Sequence, residues 1–188
     1  MPKPQHVLVN ANKHNTSEPA ESLQKSAVEH LTIYRQNVAS DVGSVATIVT
    51  TDFEALFSYK RGDYQRCLQL STQNVHTLLY AVHMPNVPAL PEFIQLLDDD
   101  IVSLTALTLA VNPKCREDSK NVIITQLTLS LYLMTQCQLK LHHSVTSLTQ
   151  ALHYIKIAQR SLRPHRTLNQ LALMMTERKV VARVKALI

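Results

Sequence analysis

The 188 residues are 45% apolar and carry a formal charge of +5, with two glycines and no tryptophan. A chain of this length buries a core without covalent staples, and so little glycine excludes the turn-rich all-β folds, leaving helix as the expected state. The three cysteines, Cys67, Cys115 and Cys137, form no C-x-x-C pair. That excludes a disulfide framework or zinc knuckle and points to a reducing, intracellular and cytoplasmic setting.

Residues 1–16 form a polar leader, expected to be mobile, whose apolar run is too short for a secretory signal. Residues 17–188 are expected to make one helical domain. Ser17-Glu18-Pro19 reads as a helix start, with proline tolerated in the first turn, and Leu23, Ala27, Leu31 and Tyr34 follow at spacings of three or four toward Ala39. Asp41 offers a cap for a second helix through Val45, Ile48, Val49, Phe53, Leu56 and Phe57. Gly62 then stands where a left-handed turn ends that helix, because glycine alone adopts positive φ without steric cost. Asp63 caps the next helix, whose apolar series is Tyr64, Cys67, Leu68, Val75, Leu78, Leu79 and Val82.

Pro85, Pro88 and Pro91 make a connector of about residues 84–91, since each removes a donor and biases its predecessor toward extended backbone. A short helix is expected around Glu92 to Leu97. Another begins at Asp98-Asp99-Asp100, three acids suited to a helix N-terminus, and stops at Asn112-Pro113. From Asn121 to Leu139 no residue is charged, and the stretch is long enough to span a bilayer. Eight of its nineteen residues are polar, so the expectation is a buried solenoid helix. Within it, Leu127-Thr128-Leu129-Ser130-Leu131-Tyr132-Leu133 alternates as a strand would. Helix is preferred because no hairpin-turn dipeptide lies nearby and Met134, Cys137 and Leu141 continue the helical series. After His142-His143-Ser144, a helix from Val145 to Leu162 carries Leu148, Ala151, Leu152, Ile155, Ala158 and Leu162 on one side before Pro164. A last helix, from Thr167 to Leu187, shows Leu168, Leu171, Met174, Met175, Val181 and Val184.

The segment Tyr59-Lys60-Arg61-Gly62-Asp63-Tyr64-Gln65-Arg66-Cys67 resembles the middle of a tetratricopeptide repeat. Gly62, Asp63, Tyr64 and Cys67 stand where that family has its turn glycine, aspartate, tyrosine and small second-helix residue, and Ala55 fits its small first-helix position. Glu54 replaces the leucine before that position, and Ser71 and Asn74 replace the later aromatic and alanine. A second partial match lies at Ala151, Ile155, Ala158 and Pro164, with one residue more before the proline and no Gly-Asp-Tyr turn ahead of it. The two pairs cover about half the chain. What the resemblance implies is an all-α array of antiparallel helical hairpins, a tetratricopeptide-like solenoid, that acts as a non-catalytic scaffold and holds a peptide or helix in a groove between helices. The positions at which chaperone-binding members clamp a carboxylate are Asp52 and Leu56 here, so no such clamp is expected.

Charge supplies the other surface. From Lys156 onward there are eight basic residues, Lys156, Arg160, Arg163, Arg166, Arg178, Lys179, Arg183 and Lys185, against Glu177 alone, whereas residues 1–155 hold 11 basic and 13 acidic groups. The alternative reading is therefore a compact helical bundle that docks on an acidic protein, nucleic-acid or membrane surface through this basic end. Stacking aromatics are absent after Tyr154, which disfavours nucleic acid. The two glycines, Gly43 and Gly62, form neither G-x-G-x-x-G nor G-x-x-x-x-G-K-[ST], so a nucleotide-binding enzyme would have to be unconventional, and no cofactor is implied. Adjacent His142 and His143 point about 100° apart on a helix and do not form a chelating pair; no metal is expected.

Overall fold

The computed structural model describes residues 45–80, 124–161 and 167–188, together with single helical positions at Ser103, Ala106 and Ala110. The leader, the helix expected from Ser17 to Ala39, the proline connector and Cys115 lie outside the described residues. The described residues form five α-helices in order: α1 Val45–Lys60, α2 Tyr64–Tyr80, α3 Gln126–Lys140, α4 Val145–Ser161 and α5 Thr167–Lys185. The described residues contain no strand, and the fold is all-α. Ser103, Ala106 and Ala110 fall within the range where the Asp98-Asp99-Asp100 start and the Asn112-Pro113 stop predict a helix.

Gly62 ends α1 in the left-handed conformation, φ 79°. Its N–H donates to the Tyr59 carbonyl at 3.0 Å and the Asp63 N–H to the Ser58 carbonyl at 2.9 Å, closing the last turn of the helix. A Cβ built on Gly62 meets nothing within 4 Å, so the dihedral angle, not space, demands glycine. The Asp63 carboxylate then accepts from the Arg66 N–H at 3.0 Å, capping α2 as the sequence predicts. The α3–α4 connection uses the same turn with another residue. His142 takes φ 53°, its N–H donates to Leu139 and the His143 N–H to Gln138, at 3.3 and 3.0 Å, and the Ser144 hydroxyl accepts from the Ser147 N–H. Counted back from Ala151 as Gly62 is from Cys67, this turn would fall at Thr146; α4 instead starts about one helical turn earlier.

Helix α3, without a charged residue until Lys140 at its end, packs against all four of the other helices. Its residues from Gln126 to Gln138 are buried without a break, and no described helix is long and apolar enough to cross a membrane. The strand-like alternation has a helical cause. Two residues of helix rotate the chain by about 200°, so alternate leucines separate onto opposite faces, each face spaced i, i+4. Leu129 and Leu133, with Tyr132 and Cys137, enter a core with Phe53, Leu56, Cys67, Leu70 and Leu168. Leu127 and Leu131, with Met134, enter a second core with Ile48, Val75, Leu78, Ile155 and Leu173. A helix with apolar neighbours on both sides thus produces a period of two.

The apolar stripe expected on α5 is corrected. Its buried face is Leu168, Asn169, Ala172, Leu173, Thr176 and Val180, while Met174 is 43% exposed. The reason is a polar requirement at the start of α3. Thr125, itself fully buried, caps α3 through its side chain, and the Asn169 side-chain oxygen accepts both the Thr125 N–H at 2.8 Å and its hydroxyl at 3.1 Å. A hydrophobic count cannot find an acceptor supplied from another helix. The Thr176 hydroxyl is satisfied within its own helix, at the Ala172 carbonyl.

Candidate interaction surface

The residues named for a repeat-like packing are brought together at the α1–α2 turn. Ala55 and Cys67 are fully buried in one core, and Tyr64 packs edge-on against Tyr59 with ring centroids 5.6 Å apart. Each departure from the repeat pattern has its own partner. Glu54 receives two bonds from the Arg66 guanidinium, at 2.6 and 3.1 Å, across the hairpin. The Ser71 hydroxyl donates to the Cys67 carbonyl at 2.7 Å and the Asn74 amide to the Ile48 carbonyl at 2.9 Å. In the second pair Ala151, Ile155 and Ala158 are all buried. Cys67 faces Cys137, both thiols are free, and the neighbouring thiol together with burial pushes the Cys67 pKa up.

The side of α1 and α3 that would line a groove is closed. Asp52 is 1% exposed and Leu56 fully buried, so neither meets a ligand carboxylate; burial acts there before any charge repulsion. The Ser130 hydroxyl of α3 donates to one Asp52 oxygen at 2.6 Å, and the other oxygen has no partner among the described residues. Burial pushes the Asp52 carboxyl up to about 7, with Ser130 and the neighbouring Asn74 amide offsetting part of the rise. Along α3 the Thr135 hydroxyl, the Gln136 amide nitrogen and the Gln138 carbonyl oxygen are also buried without a partner among the described residues.

The basic residues do not form one strip. Arg163 and Arg166 lie outside the described residues. Lys156 and Arg160 are exposed on α4, and Arg178 and Lys185 are exposed on α5. Lys179 and Arg183 are half-buried, on the side of α5 turned toward the molecule; the Arg183 guanidinium lies 3.1 Å from His142 Nδ1. The one acid of this region, Glu177, accepts from the Gln159 side chain of α4 at 2.9 Å, which ties the two helices together. Met174 and Val181 share the outer face of α5 with Arg178 and Lys185, and all four border a shallow open groove. The sequence signal for that grouping is the spacing of these residues, which a net-charge count overlooks.

Among the described residues no group of three His, Cys, Asp or Glu side chains is placed to hold a metal ion. His153 lies against Tyr154, with centroids 6.1 Å apart. Comparison with protein-family models, curated proteins and solved structures finds no match to this chain.

Proposed function

We propose that this chain is a non-catalytic interaction module whose partner is acidic and docks on the outer surface of α4 and α5. The observation that carries the reading is a contrast in accessibility. The α1 and α3 side chains that a groove-type scaffold would present are buried, whereas Lys156, Arg160, Arg178 and Lys185 stand in solvent. Charges so placed steer association more than they add affinity, and their effect weakens as salt shortens the screening length to about 8 Å. Two hairpins closed by the same left-handed turn, at Gly62 and His142, support a repeat-like scaffold behind this surface.

The test replaces Lys156, Arg160, Arg178 and Lys185 by glutamine, which keeps long helix-forming side chains and removes four charges. Partners captured by the intact chain are identified, and the association rate of each is measured against salt for both proteins. Slower association of acidic partners with the folded variant supports the reading. Unchanged rates and salt dependence for every partner would refute it and return the search to a groove.

A further inference from the structure

The outer face of α5 carries more than charge. Met174, Arg178, Val181 and Lys185 follow one another at spacings of four, three and four, and on an ideal helix they lie within about 60° of each other, opposite the buried face. That is the spacing of a coiled-coil seam, with apolar residues at one of its two core positions and basic residues at the other. Met174 is 43% exposed and Val181 half-buried, and neither Arg178 nor Lys185 has an ion pair among the described residues.

We infer that this seam seats one amphipathic helix of a partner protein, with apolar residues opposite Met174 and Val181 and carboxylates opposite Arg178 and Lys185. The inference rests on the acidic-partner reading above and deepens it. Charge selects the occupant. A second copy of α5 laid parallel would set arginine against arginine and lysine against lysine, and laid antiparallel would press each cation onto Met174 or Val181 with no counter-charge. An anionic membrane is a poorer occupant, because Leu168, Leu173 and Val180, the larger apolar face of α5, are already buried. A helix with acidic residues every seven positions and leucines three or four residues from them satisfies both halves of the seam at once.

The probe is a designed helical peptide of three heptads with leucine at one core position and glutamate at the other; a matched peptide carries lysine in place of glutamate. Binding to the full chain is measured by titration calorimetry at low and physiological salt, with amide chemical shifts locating the site. The glutamate peptide should bind, shift the α5 resonances and weaken with salt. The Arg178→Glu and Lys185→Glu double variant should lose about tenfold or more in affinity for it and gain affinity for the lysine peptide. Val181→Glu should weaken binding of the glutamate peptide, with circular dichroism confirming that each variant folds. Absence of binding by the glutamate peptide overturns the seam. So does binding that α5 reversal leaves unchanged while Lys156→Glu and Arg160→Glu abolish it; in that case the broader basic-surface reading survives. Self-association of the chain, or vesicle binding without peptide binding, also overturns the inference.

Discussion

Replacing Asp52 by asparagine tests the most unusual electrostatic feature of the core. The carboxyl is 1% exposed, accepts one bond from Ser130, and is pushed by burial from the ordinary 3.8 up to about 7. Because the folded pKa lies above the unfolded one, the native state keeps this proton between about pH 4 and 7 while the unfolded chain has released it. Stability therefore falls as pH rises through that window, by about 1.4 kcal/mol per pH unit, and levels off above the folded pKa, where both states are ionised. The rise from 3.8 to about 7 amounts to about 4 kcal/mol in all. A carboxamide cannot ionise, so the variant should lack this term. Its amide places donors where the second Asp52 oxygen has no partner, a cost of about 1 to 3 kcal/mol that is the same at every pH. The slope, not the offset, is thus the readout. Urea denaturation of both proteins at half-unit steps from pH 5 to 8.5 should show the variant gaining on the native chain by more than 1 kcal/mol per unit up to about pH 7, then holding level. A difference that stays flat across the series would show that Asp52 is ionised in the fold at acidic pH, and the argument from burial would fail.

Three further substitutions probe the packing. Asn169→Ala removes the acceptor for the buried Thr125 N–H and hydroxyl, and should lower stability by about 1 to 3 kcal/mol, read from the shift in denaturation midpoint; no change would mean that another acceptor satisfies Thr125. Cys67→Phe enlarges a fully buried side chain that faces Cys137, and should cost about 1 to 3 kcal/mol by overpacking. An unchanged melting temperature would place that side chain at the surface. His142→Gly relieves a non-glycine residue at φ 53° and should raise stability by up to about 1 kcal/mol in thermal unfolding, while His142→Val should lower it.

Much of the backbone plan is written locally. Gly62 and Asp63 mark the end of α1 and the start of α2, and α4 and α5 begin at Val145 and Thr167, where the spacing predicts them, because caps and turns depend on residues within one helical turn of each other. The absence of charge from Gln126 to Gln138 likewise reports burial, since no ionised group is tolerated where every face meets protein. Tertiary contacts decided the rest. The alternation from Leu127 to Leu133 has the period of a strand; the series through Met134 and Cys137 already favours helix, and the two cores on opposite sides of α3 supply the reason for the alternation. His142 gives no glycine signal, yet it occupies the same left-handed turn as Gly62, with the Arg183 guanidinium of α5 3.1 Å from its ring. The charge count of the C-terminal region treats eight basic residues alike, whereas packing turns Lys179 and Arg183 toward the molecule and leaves Arg178 and Lys185 outside. Asn169 reads as a polar interruption of α5 until Thr125, 44 residues earlier in the chain, is found beside it. Local propensity sees neighbours along the chain; which face is inside, and which polar atoms that face must satisfy, is set by residues that meet only after folding.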